Sequence, residues 1–144
     1  MSKVENVVSC FEEGFICSQA LFSTYCTDSG LDRDKALKIS AAFGGGMARM
    51  GGICGAVTGA FLVISLKYGN TKADEYQARE KTYSLVREFA DLFKSRNGSF
   101  ICKDLLGYDI NTPEGLQVAR EKKLFSTVCP KFVRDAAEIV EQLL

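Results

Sequence analysis

The segment Gly44-Gly45-Gly46-Met47-Ala48-Arg49-Met50-Gly51-Gly52 carries five glycines in nine residues and leads straight into an apolar stretch from Ile53 to Leu66. Each glycine in a helix interior costs about 1 kcal/mol relative to alanine, so the first segment is a loop. The second is shorter than the roughly 20 residues that a bilayer requires, and Arg49 and Lys67 bracket it closely. It reads as a buried central helix, with no membrane span.

The flanking sequence is helical throughout. Ser2 with Glu5 suggests a capping box opening a first helix, whose apolar positions Val4, Val7, Val8 and Phe11 have helical spacing and which Gly14 ends. A second helix is expected from about Cys17 to Asp28, stopping at Gly30, and Asp32 caps a third. The apolar helix runs from Gly55 to Tyr68. Thr71 and Asp74 suggest the cap of a long amphipathic helix to about Arg96, with Tyr76, Tyr83, Val86, Phe89, Ala90 and Phe93 on one stripe. A short helix is expected from Cys102 to Gly107, and Thr112-Pro113 opens another. The last begins at Cys129-Pro130, with Cys129 as its cap, and keeps Phe132, Val133, Ala136, Ala137, Val140 and Leu143 on one face. With no alternating strand pattern, repeat or linker, residues 1–144 read as a single all-α domain. Its expected form is a compact bundle of about six to seven helices, with the glycine-rich loop before the buried apolar helix.

Composition narrows the chemistry. Eighteen Lys+Arg balance eighteen Asp+Glu, which gives no reason to expect a nucleic-acid partner. There is no histidine. That excludes His-based catalytic pairs, His-containing zinc sites and His-ligated haem. Six cysteines remain as the material for metal or redox work. The N-terminus, Met-Ser-Lys-Val-Glu-Asn-Val-Val, lacks the apolar run of a signal peptide. A cytoplasmic location is therefore expected, where cysteines serve metal binding or catalysis more often than permanent disulfides.

Cys10 and Cys26 have ordinary helical neighbours and read as packing residues. The other four share a position: Cys17, Cys54, Cys102 and Cys129 each stand where a helix is expected to begin. The first turn of a helix has unpaired N–H groups and the positive end of the macrodipole. A thiol there ionises more easily, and the thiolate is the form that attacks disulfides and ligates metal. The four are tens of residues apart with no close Cys-x-x-Cys pair, so a site made from them is assembled by tertiary packing.

Glycine-rich loops before helices also bind phosphate, but nucleotide motifs are not met here. The loop ends Gly-Gly-Ile-Cys where a Walker A loop ends Gly-Lys-Ser/Thr, and position 49 is Arg where a dinucleotide fingerprint needs glycine. Small residues Gly55, Ala56, Gly59 and Ala60 instead indicate tight helix–helix packing. N–H groups around Cys54, at Gly52 and Gly55, are candidates to donate to cluster sulfides or a thiolate, and Arg49 is a candidate to neutralise an anionic centre.

The box Cys54-Gly55-Ala56-Val57-Thr58-Gly59 resembles the hallmark CGAxxG of a family of redox-active proteins named for a C…GCAxxG…C…C pattern. Cys17-Ser18-Gln19-Ala20 is similar to that family's first cysteine segment, Phe43-Gly44-Gly45-Gly46-Met47 to its glycine stretch, and Cys102 and Cys129-Pro130 to its last two cysteines. The resemblance covers nearly the whole chain and implies redox activity on the same quartet. A similar segment occurs in split-Soret cytochromes c, where an iron–sulfur centre accompanies haem. The haem part does not carry over to a chain without histidine; the iron–sulfur part has all its thiols.

The leading expectation is a small intracellular redox protein whose Cys17, Cys54, Cys102 and Cys129 hold an iron–sulfur cluster for electron transfer. Thiol–disulfide chemistry, with Cys54 as nucleophile and Cys17 as a further catalytic candidate, is the alternative; four cysteines allow three pairings, among which the sequence does not choose. A structural Cys₄ zinc domain or a helical interaction module with incidental cysteines are the readings from other classes. The abundance of phenylalanine and tyrosine on amphipathic helices further suggests a homodimer.

Overall fold

Local capping chemistry sets most of the helix boundaries. The structure, a computed structural model, describes residues 2–144. The Ser2 hydroxyl accepts the Glu5 N–H at 3.1 Å and opens α1 (Lys3–Glu12). The second helix, α2 (Cys17–Tyr25), tightens into a 3₁₀ turn over Cys26–Ser29 and stops at Gly30, whose φ is +80°. Asp32 caps α3 (Arg33–Ser40) by accepting the Lys35 N–H at 3.1 Å. After the glycine loop come α4 (Gly55–Tyr68) and α5 (Tyr76–Asn97). The chain continues through α6 (Cys102–Leu106), α7 (Pro113–Glu121) and α8 (Cys129–Leu143). Thr112 caps α7 by accepting the Gly115 N–H at 3.0 Å. These are the eight helices longer than one turn among the described residues, close to the six or seven expected, and the architecture is all-α. The described residues contain no strand, only an isolated antiparallel bridge between Ile53 and Ile101.

The central pair is α2 against α4, with α1 and α8 packed together on one side and α5 against α4 and α8 on another. Gly59 explains how α2 and α4 come so close: a Cβ there would lie 2.9 Å from the Ser18 carbonyl oxygen and 3.2 Å from Leu21 Cβ. Across the bundle, Phe89 and Phe93 stack with centroids 6.4 Å apart, and Phe61 meets Phe89 edge-on at 6.1 Å. Leu21, Ile64, Phe89, Phe93 and Ile139 are fully enclosed. A smaller apolar cluster of Cys102, Leu106, Ile110 and Ala119 forms under α6 and α7, and Cys129 packs against both clusters. The seam between them is where the site lies.

Three expectations are corrected. Tyr76 and Tyr83 are 64% and 56% exposed. The packed stripe of α5 centres on Thr82, Phe89 and Phe93, and the two tyrosines fall at its margin, where Tyr76 meets the Arg79 guanidinium 5.6 Å from its ring centre. Thr71 and Asp74 do not cap α5. Instead the Glu75 carboxylate closes the preceding turn by accepting the N–H groups of Thr71 and Lys72, at 3.3 and 2.8 Å, and α5 begins at Tyr76. Cys129 is the first residue of α8, and Val128 holds the cap position. No helix among the described residues is long and apolar enough to cross a membrane.

Candidate functional site: a cavity lined by four thiols

Each quartet cysteine stands at a helix start. Cys17, Cys102 and Cys129 are the first residues of α2, α6 and α8, and Cys54 occupies the cap position of α4. The Ile53–Ile101 bridge sets Cys54 and Cys102 on neighbouring backbones. Cys54 N–H donates to the Phe100 carbonyl at 2.8 Å, and Cys102 N–H donates to the Gly52 carbonyl at 2.6 Å. This pairing is too short to leave an alternating signature in the sequence.

The glycine loop then folds over the start of α2. Five consecutive residues, Gly45, Gly46, Met47, Ala48 and Arg49, have φ of +66°, +66°, +70°, +50° and +67°. Left-handed backbone costs an L-residue roughly 1–2 kcal/mol, so Met47, Ala48 and Arg49 are held there by their surroundings. Gly46 has no alternative, because a Cβ would lie 2.5 Å from Gly52 N and 2.8 Å from Cys102 Cβ. The winding aims the Gly45 N–H at the Cys17 sulfur. Gly55 completes the fit: a Cβ on it would collide with Cys17 Sγ and lie 3.0 Å from the Phe43 carbonyl oxygen. The bare glycine lets the Cys17 thiol lie against Cys54.

The two thiols are hydrogen-bonded and electrically unequal. The S–H of Cys54 donates to Cys17 and is the main reason that Cys17 is lowered from 9.0 to about 7; burial opposes the shift, and the N–H groups of Gly45, Ser18 and Cys17 itself support it. Cys54 is raised well above the usual thiol range by giving that same hydrogen bond, by burial, and by the charge on Cys17. Cys102 and Cys129 are each pushed up to about 12, first by burial and then by the Cys17 charge. Cys17 is therefore the most readily ionised of the four thiols.

All four line one cavity of about 730 Å³. That volume lies within the range of small-molecule and cofactor sites. Of the other residues singled out from the sequence, Gly55 and Arg49 also line it. Gly52 does not; its N–H goes to the Gly46 carbonyl at 2.9 Å and its carbonyl to Cys102, so it anchors the loop. Cys10 and Cys26 lie in the core, with Cys10 Sγ 3.9 Å from Ser23 Oγ and Cys26 Sγ donating to the Ser23 carbonyl at 3.3 Å. Sequence reasoning missed Glu12, Arg120 and Phe125 on the cavity wall. They sit on or beside short elements, and no motif marks them. Among the described residues, no three Cys, Asp or Glu side chains are gathered as a single metal ion would need.

No curated protein and no solved structure matches the chain. One family model does, under the description "Putative redox-active protein (C_GCAxxG_C_C)", over residues 15–143. Its span takes in all four thiols, the glycine loop and the box at the head of α4, and the chain belongs to that family.

Proposed function

We propose that the protein is a thiol–disulfide redox protein in which Cys17 and Cys54 form the working pair, inside a pocket that Cys102 and Cys129 complete. The observation that carries this reading is the seating of the Cys17 sulfur against Gly55, the residue after Cys54, in a cavity that both thiols line, where the Cys54 thiol lowers the pKa of Cys17. It supplies a nucleophile near neutrality and a second sulfur already in contact with it. The sequence put Cys54 forward as nucleophile; the donors surrounding Cys17 favour Cys17 in that role.

The charge asymmetry supports a two-step cycle. The Cys17 thiolate attacks one sulfur of a disulfide and releases the other as a thiolate. Forming the mixed disulfide removes the charge on Cys17, and with it the hydrogen bond and the charge repulsion from Cys17 that help to keep Cys54 protonated. Cys54 then gives its proton to the departing thiolate and attacks Cys17 Sγ, closing the internal disulfide. Two electrons pass from the protein to the substrate disulfide. A reducing, cytoplasmic setting suits a pair whose resting form is the dithiol.

A second reading, an iron–sulfur cluster held by Cys17, Cys54, Cys102 and Cys129, is favoured by the convergence of all four thiols on one cavity. The all-thiol donor set fits such a group, and so does the Gly45 N–H directed at a sulfur. When bound, a cluster supplies one-electron transfer; the chain's part is to offer four sulfurs and to exclude water with the walls of α1, α7 and α8.

Anaerobic purification followed by a visible spectrum and iron, sulfide and zinc assays separates these readings. The dithiol reading expects metal-free protein that, on mild oxidation, yields a Cys17–Cys54 disulfide by peptide mapping. Stoichiometric iron and sulfide with visible charge-transfer bands would replace it with the cluster, and stoichiometric zinc with a structural site.

A further inference from the structure

The thiol chemistry leaves part of this cavity unexplained. Arg49 and Arg120 both line it, and neither guanidinium has a carboxylate partner among the described residues. Two arginines elsewhere are paired, Arg96 with Glu138 at 2.9 Å and Arg134 with Glu5 at 2.7 Å; Arg33, Arg79 and Arg87 are in no ion pair among the described residues either, but none of them lines the cavity. Glu12 is the one carboxylate on the cavity wall, against the two guanidinium groups. The wall also carries four aromatic rings, Phe11, Phe15, Phe125 and Phe132. The left-handed backbone at Arg49 bends its stem back over the loop, and a Cβ on Gly45 would lie 2.9 Å from Arg49 Cγ. A strained residue thus has its stem held against Gly45, whose N–H lies at Cys17.

We infer that the cavity is a binding site for a small organic anion with an apolar body, gripped at its carboxylate, sulfonate or phosphate by Arg49 and Arg120, and that the disulfide reduced by Cys17 and Cys54 is of this anionic class. The second clause rests on the thiol–disulfide reading; the first stands without it. Guanidinium groups bind such oxyanions through paired, charge-assisted hydrogen bonds, and the phenylalanine wall accepts the rest of the molecule. The reaction is that of the pair itself. Cys17 forms a bond to one sulfur of the anionic disulfide while its sulfur–sulfur bond breaks, and one anionic thiolate leaves. Cys54 then displaces the second, passing its proton to the thiolate released, so one disulfide is reduced as Cys17–Cys54 forms.

Two measurements on the full chain test this. The first is fluorescence titration with naphthalenesulfonate, an aromatic anion with no sulfur–sulfur bond, against the parent, the double variant R49Q/R120Q, and R87Q as a control for net charge alone. Both cavity arginines are exposed, so the double variant is expected to keep the core intact, which its melting curve checks. Saturable one-to-one binding is expected, weakened about tenfold for each guanidinium removed and unchanged in R87Q. No saturable binding, or equal affinity in parent and double variant, overturns the site. The second is the rate of Cys17 oxidation by dithiobisnitrobenzoate, an anionic aromatic disulfide, against neutral dithiodiethanol. The double variant is expected to lose at least about tenfold in rate with the anionic reagent and to keep its rate with the neutral one. Equal losses with both overturn the substrate class. Arginine-dependent binding with unreactive thiols would keep the anion site and refute the thiol–disulfide reading instead.

Discussion

Replacing Cys54 by alanine removes the donor that contributes most to holding Cys17 at about 7, and the thiol then relaxes toward 9.0. At pH 7 the parent Cys17 is about half ionised, whereas a thiol at 9.0 is about 1% ionised, a loss of about fiftyfold in thiolate. Intrinsic nucleophilicity moves the other way. With a Brønsted slope of about 0.45, a rise of about two pH units makes each thiolate about eightfold more reactive. The two combine to a slowing of about sixfold at pH 7 and, once both thiols are ionised near pH 10, an acceleration of nearly eightfold. The two pH–rate curves therefore cross. The assay is the disappearance of free Cys17 by mass mapping in metal-free protein treated with excess dithiodiethanol from pH 5 to pH 10. The parent rate should rise through about 7 and level off, and the Cys54→Ala rate should rise two units later. A parent midpoint near that of an ordinary thiol, or curves that superimpose, would refute the thiol–thiolate pair.

The same geometry makes other variants informative. Gly55→Ala drives a Cβ into Cys17 Sγ and the Phe43 carbonyl, so we expect about 1–3 kcal/mol lower stability by denaturant titration together with a loss of the low Cys17 midpoint. Gly59→Ala strikes the Ser18 backbone at 2.9 Å and should cost a similar amount while leaving that midpoint in place. Ala48→Gly relieves left-handed strain at φ +50° and should stabilise the protein by about 0.5–1 kcal/mol; a lower unfolding midpoint would contradict the conformation of the loop. Asp135, whose side chain is only 12% exposed, accepts from Lys131 at 2.7 Å and Arg96 at 3.5 Å. Asp135→Asn should lower stability by about 1–2 kcal/mol, seen as an earlier urea midpoint.

What was legible in the sequence was local. Caps at Ser2, Asp32 and Thr112 and stops at Gly30 and Gly107 are written in single residues, while the breaks at Gly14, the glycine loop and Gly98 and the proline at 130 mark the helix starts at which Cys17, Cys54, Cys102 and Cys129 stand. Small residues along α4 signalled the close approach that Gly59 makes to Ser18. The rest depends on tertiary structure. The Ile53–Ile101 bridge is a single pair with no period to detect. Nothing in the order Gly-Gly-Gly-Met-Ala-Arg says that three non-glycine residues will follow two glycines into the left-handed region. Arg120 and Phe125 reach the cavity only because the α6–α7 cluster folds against the main bundle, a contact between segments with no shared motif. The asymmetry between Cys17 and Cys54 likewise comes from a hydrogen bond across 37 positions of chain.

The most direct test of the central claim is an equilibrium redox titration of metal-free protein in dithiol–disulfide buffers, with every cysteine followed by differential alkylation. The account predicts that Cys17 and Cys54 lose their free thiols together as one two-electron couple, with a tenfold change in their ratio for about every 30 mV, while Cys10 and Cys26 stay reduced. Separate midpoints for Cys17 and Cys54, or oxidation of either with a cysteine outside the cavity, would contradict it.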